Sequence, residues 1–282
     1  MAIKNTRRGA DITTAAPAPP AASYVTTFDH PDGATLSLVG GKGANLGRLT
    51  TAGFPVPPGF TVTTAAFKAT LSGKVGEQIK KMAATIDYGN AAQLDQKAAA
   101  IRKLIEAAPL PADIEQAITK HYKALGAEFV AVRSSGTAED LAEASFAGQH
   151  DTYLDIRGAD AVVDAVRRCW ASMWTARATS YRHAHGFAHD QASLAVVVQT
   201  MVESEVSGVM FTANPMTGNT EETVINASWG LGEAIVSGIV TPDQYTVLVE
   251  RDIIREKIIG AKEKQCIRNT ETRQGKIGRA HV

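Results

Sequence analysis

Short apolar runs rich in β-branched residues alternate along this chain with segments of helical period. Each run is too short for a helix and is bounded by turn residues, which is typical of strands. Strands separated by helices usually form one sheet with helices packed on it, so the sequence predicts an α/β (α+β) fold with a mixed central sheet. The predicted strands are residues 24–28, 36–39, 60–62, 129–132, 151–156, 194–202, 208–213 and 223–226.

Several segments carry a helical pattern. Residues 44–51 end at Gly53, residues 64–71 can be capped by Thr63 or Thr64, and two or three polar helices are expected between 77 and 125. Residues 158–185 place Val162, Val166 and Trp170 at helical spacing, which predicts one long amphipathic helix.

Composition divides the 282 residues into three parts. Residues 1–23 are rich in Ala and Pro and are predicted to be disordered. Residues 24–265 are predicted to form a ligand-binding domain, with a change of subdomain near 190–200. Residues 266–282 lack apolar periodicity and are predicted to be unstructured, and 277–282 look like translated sequencing-adapter read-through.

Charge and cysteine content exclude several classes of protein. The chain has 29 basic and 29 acidic residues, and nothing in their distribution suggests a nucleic-acid partner. Cys169 and Cys266 are far apart and lack zinc-ligand spacing, which indicates a reducing, cytoplasmic compartment. No apolar stretch is long enough to span a bilayer, so no membrane partner is expected.

A glycine-rich segment, Gly40, Gly41, Lys42 and Gly43, lies between a predicted strand and a predicted helix. Backbone N–H groups and one cation at a helix N-terminus favour an anion such as phosphate. The spacing is not that of a Walker A loop. An ordinary glycine turn with a solvated lysine is the alternative interpretation.

Polar residues follow the predicted strand 129–132. Arg133 supplies forked donors that match phosphate oxygens, and the hydroxyls of Ser134, Ser135 and Thr137 could reach the remaining oxygens. The alternative is a helix cap made by Thr137. A loop of small residues comes next and is suited to cover a polyphosphate because the backbone can approach closely; it includes Ser145, Ala147, Gly148 and Gln149.

The apolar strand 194–202 turns polar at Gln199 and Met201. A Gln amide can bind a purine edge, and Met can supply an adaptable apolar wall. A core strand with Gln199 on its exposed face is the alternative. The histidines near 183–189 fit a basic helix terminus better than a metal site, and no metal ligand is predicted in this chain.

Six motifs occur in a fixed order along the chain. They are Val39-Gly40-Gly41-Lys42-Gly43-Ala44-Asn45-Leu46-Gly47, Val56-Pro57-Pro58-Gly59-Phe60, Val132-Arg133-Ser134-Ser135, Ala144-Ser145-Phe146-Ala147-Gly148-Gln149, Phe211-Thr212-Ala213-Asn214-Pro215 and Gly230-Leu231-Gly232-Glu233. Together they resemble the N-terminal ATP-grasp region shared by pyruvate phosphate dikinase, phosphoenolpyruvate synthase and rifamycin phosphotransferase. The resemblance runs from about residue 24 to 249.

The resemblance implies an ATP-grasp nucleotide-binding region of two subdomains, incomplete at its C-terminus. It implies that Lys42 and Arg133 contact ATP phosphates, that residues 147–149 belong to the covering loop, and that Gln199 and Met201 line the adenine pocket. It also implies Mg²⁺, whose ligands come from later Glu-Trp and Gln-x-Arg-Pro motifs absent from this sequence.

In this family ATP is split to AMP and phosphate, and the β-phosphoryl group passes through a histidine of another domain to pyruvate or another acceptor. The implied small-molecule substrates are ATP with pyruvate or, alternatively, a rifamycin antibiotic. Two further interpretations of the sequence are a non-catalytic nucleotide-binding module and an α/β domain without a ligand.

Overall fold

A computed structural model describes residues 23–137, 140–141, 144–145, 151–189, 192–268 and 278–281. Its helices are α1 (Leu36–Thr51), α2 (Thr64–Thr70), α3 (Gly73–Ala83), α4 (Ala91–Glu106), α5 (Ala112–Leu125), α6 (Ala159–Ser172), α7 (Ala176–Ala184) and α8 (Glu233–Val236). Its strands are β1 (Val25–Thr27), β2 (Gly59–Val62), β3 (Val130–Gly136), β4 (Asp140–Leu141), β5 (Ala144–Ser145), β6 (Thr152–Ile156), β7 (Leu194–Thr200), β8 (Val206–Phe211), β9 (Glu222–Trp229), β10 (Asp243–Leu248), β11 (Ile253–Ile258), β12 (Lys264–Ile267) and β13 (Gly278–His281).

The larger sheet has five strands in the order β1-β2-β7-β3-β6. The α/β class is confirmed, but every pairing in this sheet is antiparallel, so the predicted mixed sheet is wrong. The reason lies in the strand order. Helices connect β2 to β3, and these two strands run parallel, but β7 lies between them and runs the opposite way. Helices also connect β6 to β7, which run parallel to each other, but β3 lies between them.

One face of this sheet forms the main hydrophobic core. Val198 on β7 lies opposite Phe60 on β2 and Val132 on β3, and all three belong to the core cluster. Helices α5 and α6 pack on this face, and α4 packs on α6. Their fully buried side chains include Ile101, Ile105, Ile114, Ile118 and Trp170. The opposite face of the sheet is therefore left for α1.

The second sheet has four antiparallel strands in the order β11-β10-β9-β8. The chain leaves the first sheet after Thr200 and enters the second at Val206. Within the described ranges, no helix is both long and apolar enough to cross a lipid bilayer.

Several predicted elements are wrong in detail. Residues 36–39 are the first turn of α1 rather than a strand, and β3 continues through Gly136 rather than ending at Val132. The predicted helix 158–185 is two helices, because Thr175 caps α7 by accepting a hydrogen bond from Ala178 N–H at 3.2 Å. In the segment predicted to be unstructured, residues 266–267 and 278–281 belong to β12 and β13, which pair through main-chain hydrogen bonds.

Arg268, just after β12, joins the C-terminal part of the chain to the larger sheet. Its Nε donates to Oδ1 of Asp155 on β6 at 3.0 Å, and its Nη1 contacts the Glu203 carboxylate. The guanidinium also lies 4.1 Å from the centre of the Phe129 ring. The side chain of Asp155 is 4% exposed, whereas that of Glu203 is 79% exposed.

Arg268→Ala is expected to destabilise the fold by about 2–3 kcal/mol, because it leaves the Asp155 carboxylate buried without its cation. Urea unfolding followed by circular dichroism measures the change. Glu203→Ala is the matched control, since it removes the exposed partner of the same arginine and should change stability little. Equal effects of the two substitutions would contradict the assignment of Asp155 as the important partner.

Candidate nucleotide-binding site

Helix α1 lies on the face of the larger sheet opposite the main core, and glycines allow it to approach closely. A Cβ atom at Gly43 would lie 3.2 Å from Oγ1 of Thr61 on β2, and one at Gly47 would lie 2.4 Å from the carbonyl oxygen of Gly33. Larger side chains would force the helix away from the sheet. The glycines of the sequence motif therefore let α1 pack closely against β2 at Gly43 and against the 3-10 turn at Gly33 through Gly47.

A kink at Gly40 divides α1 into two helical segments. Gly40 has φ 68° and ψ 178°, which are not helical values, so the second segment begins at Gly41 and carries Lys42 in its first turn. The predicted glycine loop is thus a break within one helix. An anion is still favoured at the start of the second segment, where main-chain N–H groups point along the helix axis.

The hydroxyl of Ser135 on β3 joins the two segments of α1. Its oxygen accepts a hydrogen bond from Gly43 N–H at 3.0 Å and donates one to the Val39 carbonyl oxygen at 2.7 Å. The sequence predicted that this hydroxyl would reach a phosphate, and that prediction is wrong because its proton is used by main chain. Ser134 and Thr137 likewise donate to the carbonyls of Asp151 and Ser193. Thr137 is not a helix cap either, because residues 140–141 form strand β4 rather than the first turn of a helix.

Arg133 lies two residues before Ser135 on β3. Side chains of a strand alternate between its faces, so Arg133 shares the α1 face with Ser135. The side chain is half-buried and makes no hydrogen bond or ion pair within the described part of the chain. Arg133 therefore extends from the face of β3 on which the helix that carries Lys42 is packed.

The position of Lys42 is also seen in its effect on Cys169. Burial raises the pKa of this thiol, the Asp151 charge raises it further, and the positive charges of Arg168 and Lys42 oppose the rise. The Cys169 sulfur lies 3.7 Å from the Val132 carbonyl oxygen, next to Arg133 on β3. Lys42 is therefore among the positive charges close enough to Cys169 to affect its thiol.

Gln199 lies on the same face of the sheet. It is opposite Ala131 on β3 and Gly59 on β2, and it is 8% exposed. Its Nε2 donates to the Pro57 carbonyl oxygen at 3.0 Å, which fixes the orientation of the amide. Met201 follows the end of β7 and is half-buried. The structure therefore brings Lys42, Arg133 and Gln199 to one face.

The predicted covering loop is described only in part. The main chain of Ser145 belongs to β5, which pairs with β4. Ala147, Gly148 and Gln149 lie outside the described residues.

The residues described here contain no group of three His, Cys, Asp or Glu side chains suited to a metal ion. His189 instead accepts a hydrogen bond from Arg182 Nε at its Nδ1, at 3.1 Å, and its Nε2 lies 2.7 Å from the Tyr88 hydroxyl. Because the arginine can only donate, the proton of a neutral His189 is on Nε2. This ring serves a hydrogen-bond network between α7 and the loop before α4.

Residues 36–280 match the family described as the pyruvate phosphate dikinase AMP/ATP-binding domain, and the chain belongs to that family. It is 46% identical to the phosphoenolpyruvate synthase of Pyrococcus furiosus, over 90% of this chain and 36% of the relative. It is also 50% identical to the probable phosphoenolpyruvate synthase of Pyrococcus horikoshii, over 86% of this chain and 34% of the relative. The chain therefore spans about a third of the length of the curated relatives it matches.

Proposed function

We propose that this chain binds ATP on the α1 face of the larger sheet, with the phosphates between Lys42 and Arg133. The observation that supports this most is that Arg133 extends from the face of β3 on which α1 packs, and that its half-buried side chain makes no hydrogen bond or ion pair with the other described residues. Gln199 and Met201 would contact the adenine. Ser145, Ala147, Gly148 and Gln149 would cover the phosphates. The family match supports the nucleotide.

The whole protein would be an ATP-dependent phosphotransferase built on an ATP-grasp region. ATP and water would yield AMP and phosphate, while the β-phosphoryl group would be carried by a histidine of another domain and delivered to pyruvate, giving phosphoenolpyruvate. Its relatives' names support this acceptor. A rifamycin antibiotic, which the family resemblance also allows, is the second candidate acceptor.

The two cations of this chain would act by charge neutralisation. Lys42 and the fork of Arg133 would bind the phosphate oxygens and stabilise the negative charge that develops there during transfer. Mg²⁺ bound with ATP would add positive charge, but the residues described here do not supply a ligand cluster for it. We expect this chain alone to bind nucleotide without completing a turnover.

ATP is expected to raise the melting temperature of this chain, because a ligand that binds only the folded state stabilises it by about 2.7 kcal/mol at a hundredfold excess over Kd. Differential scanning fluorimetry with ATP measures the shift. Adenosine at the same concentration is the matched control and should raise the melting temperature much less, since it lacks the phosphates. No shift at millimolar ATP would refute the proposed binding site and favour an α/β domain without a nucleotide.

A further inference from the structure

We infer that Ser135 is a positioning residue that sets the distance between Lys42 and Arg133. The inference rests on the proposed ATP site and adds to it a residue that does not itself contact the nucleotide. The Ser135 hydroxyl is fully buried, and it both donates a hydrogen bond to and accepts one from the main chain of α1.

The Ser135 hydroxyl occupies the place of a helical hydrogen bond. In a continuous helix, Gly43 N–H would donate to the carbonyl oxygen of Val39, four residues earlier. Here the hydroxyl stands between these two groups and bonds to both, at 3.0 Å and 2.7 Å. A side chain inserted into the helical ladder in this way is a recognised cause of a sharp kink.

The same residue fixes the kink from the other side. A Cβ atom at Gly40 would lie 2.1 Å from the Ser135 carbonyl oxygen and 2.5 Å from its Oγ. The main chain of α1 thus touches β3 at Ser135 both before and after Lys42. Because Arg133 is two residues away on the same face of that strand, one residue determines how both cations are placed.

Loss of the hydroxyl would change this placement. Gly43 N–H and the Val39 carbonyl would lose their buried partner, which is unfavourable unless they find another. The nearest alternative is a direct bond between them, and forming it straightens α1 and moves Lys42 relative to Arg133. Binding of the phosphates would then weaken, whereas the adenine contacts at Gln199 would not change.

Ser135→Ala is expected to reduce the affinity of this chain for ATP by about tenfold or more, the equivalent of losing one charge-assisted contact. Its affinity for adenosine should stay within about twofold, a change too small to indicate a lost contact. Competition against a fluorescent adenine nucleotide measures both ligands. Ser134→Ala is the matched control, because it deletes a neighbouring buried hydroxyl whose side chain lies on the other face of β3 and donates to the Asp151 carbonyl instead of to α1.

The ratio of the loss of ATP affinity to the loss of adenosine affinity separates positioning from a general structural effect. Equal losses of affinity for ATP and adenosine, or no loss for either, would overturn the inference while leaving the ATP site intact. If Ser135→Ala does not fold, Ser135→Cys carries the same test, since a thiol of similar size is a weak donor and acceptor. If the unaltered chain does not bind ATP, the proposed function itself fails.

Discussion

Arg133→Ala is expected to lower the affinity of this chain for ATP by about two orders of magnitude, or roughly 2.7 kcal/mol. Hydrogen bonds between a guanidinium and phosphate are charge-assisted and bidentate, so their loss weakens binding more than the loss of a neutral contact. The fold should be little affected, because the Arg133 side chain forms no hydrogen bond or ion pair with another residue in the described ranges. Isothermal titration calorimetry measures the affinity, and the melting temperature without ligand reports on the fold.

Arg157→Ala is the matched control for this prediction. Arg157 follows β6 of the larger sheet, and its side chain is 58% exposed and pairs at the surface with Glu128, Nη1 to Oε1, at 3.2 Å. Removal of this charge should leave ATP affinity unchanged. If Arg133→Ala binds ATP as tightly as the unaltered chain, or if Arg157→Ala weakens binding equally, Arg133 does not contact the phosphates.

Gly40→Ala is expected to destabilise the chain by about 3 kcal/mol or more. The new Cβ would lie 2.1 Å from the carbonyl oxygen of Ser135, a main-chain atom held by the pairing of β3 with β7, and the φ of 68° is itself unfavourable for alanine. Helix α1 would have to move off β3 to relieve the overlap. Urea unfolding measures the loss of stability, and ATP binding should be lost with it.

Gly53→Ala separates the steric overlap with Ser135 from the cost of the left-handed φ in that loss of stability. Gly53 follows the end of α1 and has a similar φ of 80°, but no atom lies within 4 Å of the position of its Cβ. This substitution should therefore cost only about 1 kcal/mol, the penalty for a left-handed conformation. Equal losses at the two glycines would show that α1 does not pack against Ser135 as described.

Some parts of the fold could be predicted from sequence because their signals are local. The β-branched runs around Val130 and Val196 are buried strands, and three helices fill the predicted polar region. The antiparallel sheet was not predictable in the same way. The sheet is antiparallel because β7 lies between β2 and β3, and that order depends on pairings between residues far apart in the chain, such as Val132 with Val198.

The start of α1 shows where a local signal is ambiguous. A run of four residues, 36–39, followed by glycines fits either a strand and a turn or a helix with an interruption. The choice depends on Ser135, which lies 92 residues after Gly43 in the sequence and bonds to it. No local pattern contains that contact.

The candidate site likewise has a part that could be predicted from sequence and a part that depends on long-range contacts. Lys42, Arg133 and Gln199 were predicted individually from their chemistry and from the family resemblance. Their common location follows from the register that places Gln199 opposite Ala131 and from the packing of α1 against β3. The structural role of the Ser135 hydroxyl was missed, because a serine beside an arginine in the sequence is as typical of a phosphate-binding residue as of one that bonds only to main chain.

The most direct test of the ATP site is to label this chain with an acyl-phosphate derivative of ATP, which transfers its acyl group to a lysine next to the bound phosphates. Digestion and mass spectrometry identify the modified residue. We expect Lys42 to be the principal labelled lysine, with labelling suppressed by excess ATP and not by adenosine. Labelling of other lysines with Lys42 unmodified, or labelling of Lys42 that ATP does not suppress, would contradict the proposed position of the phosphates.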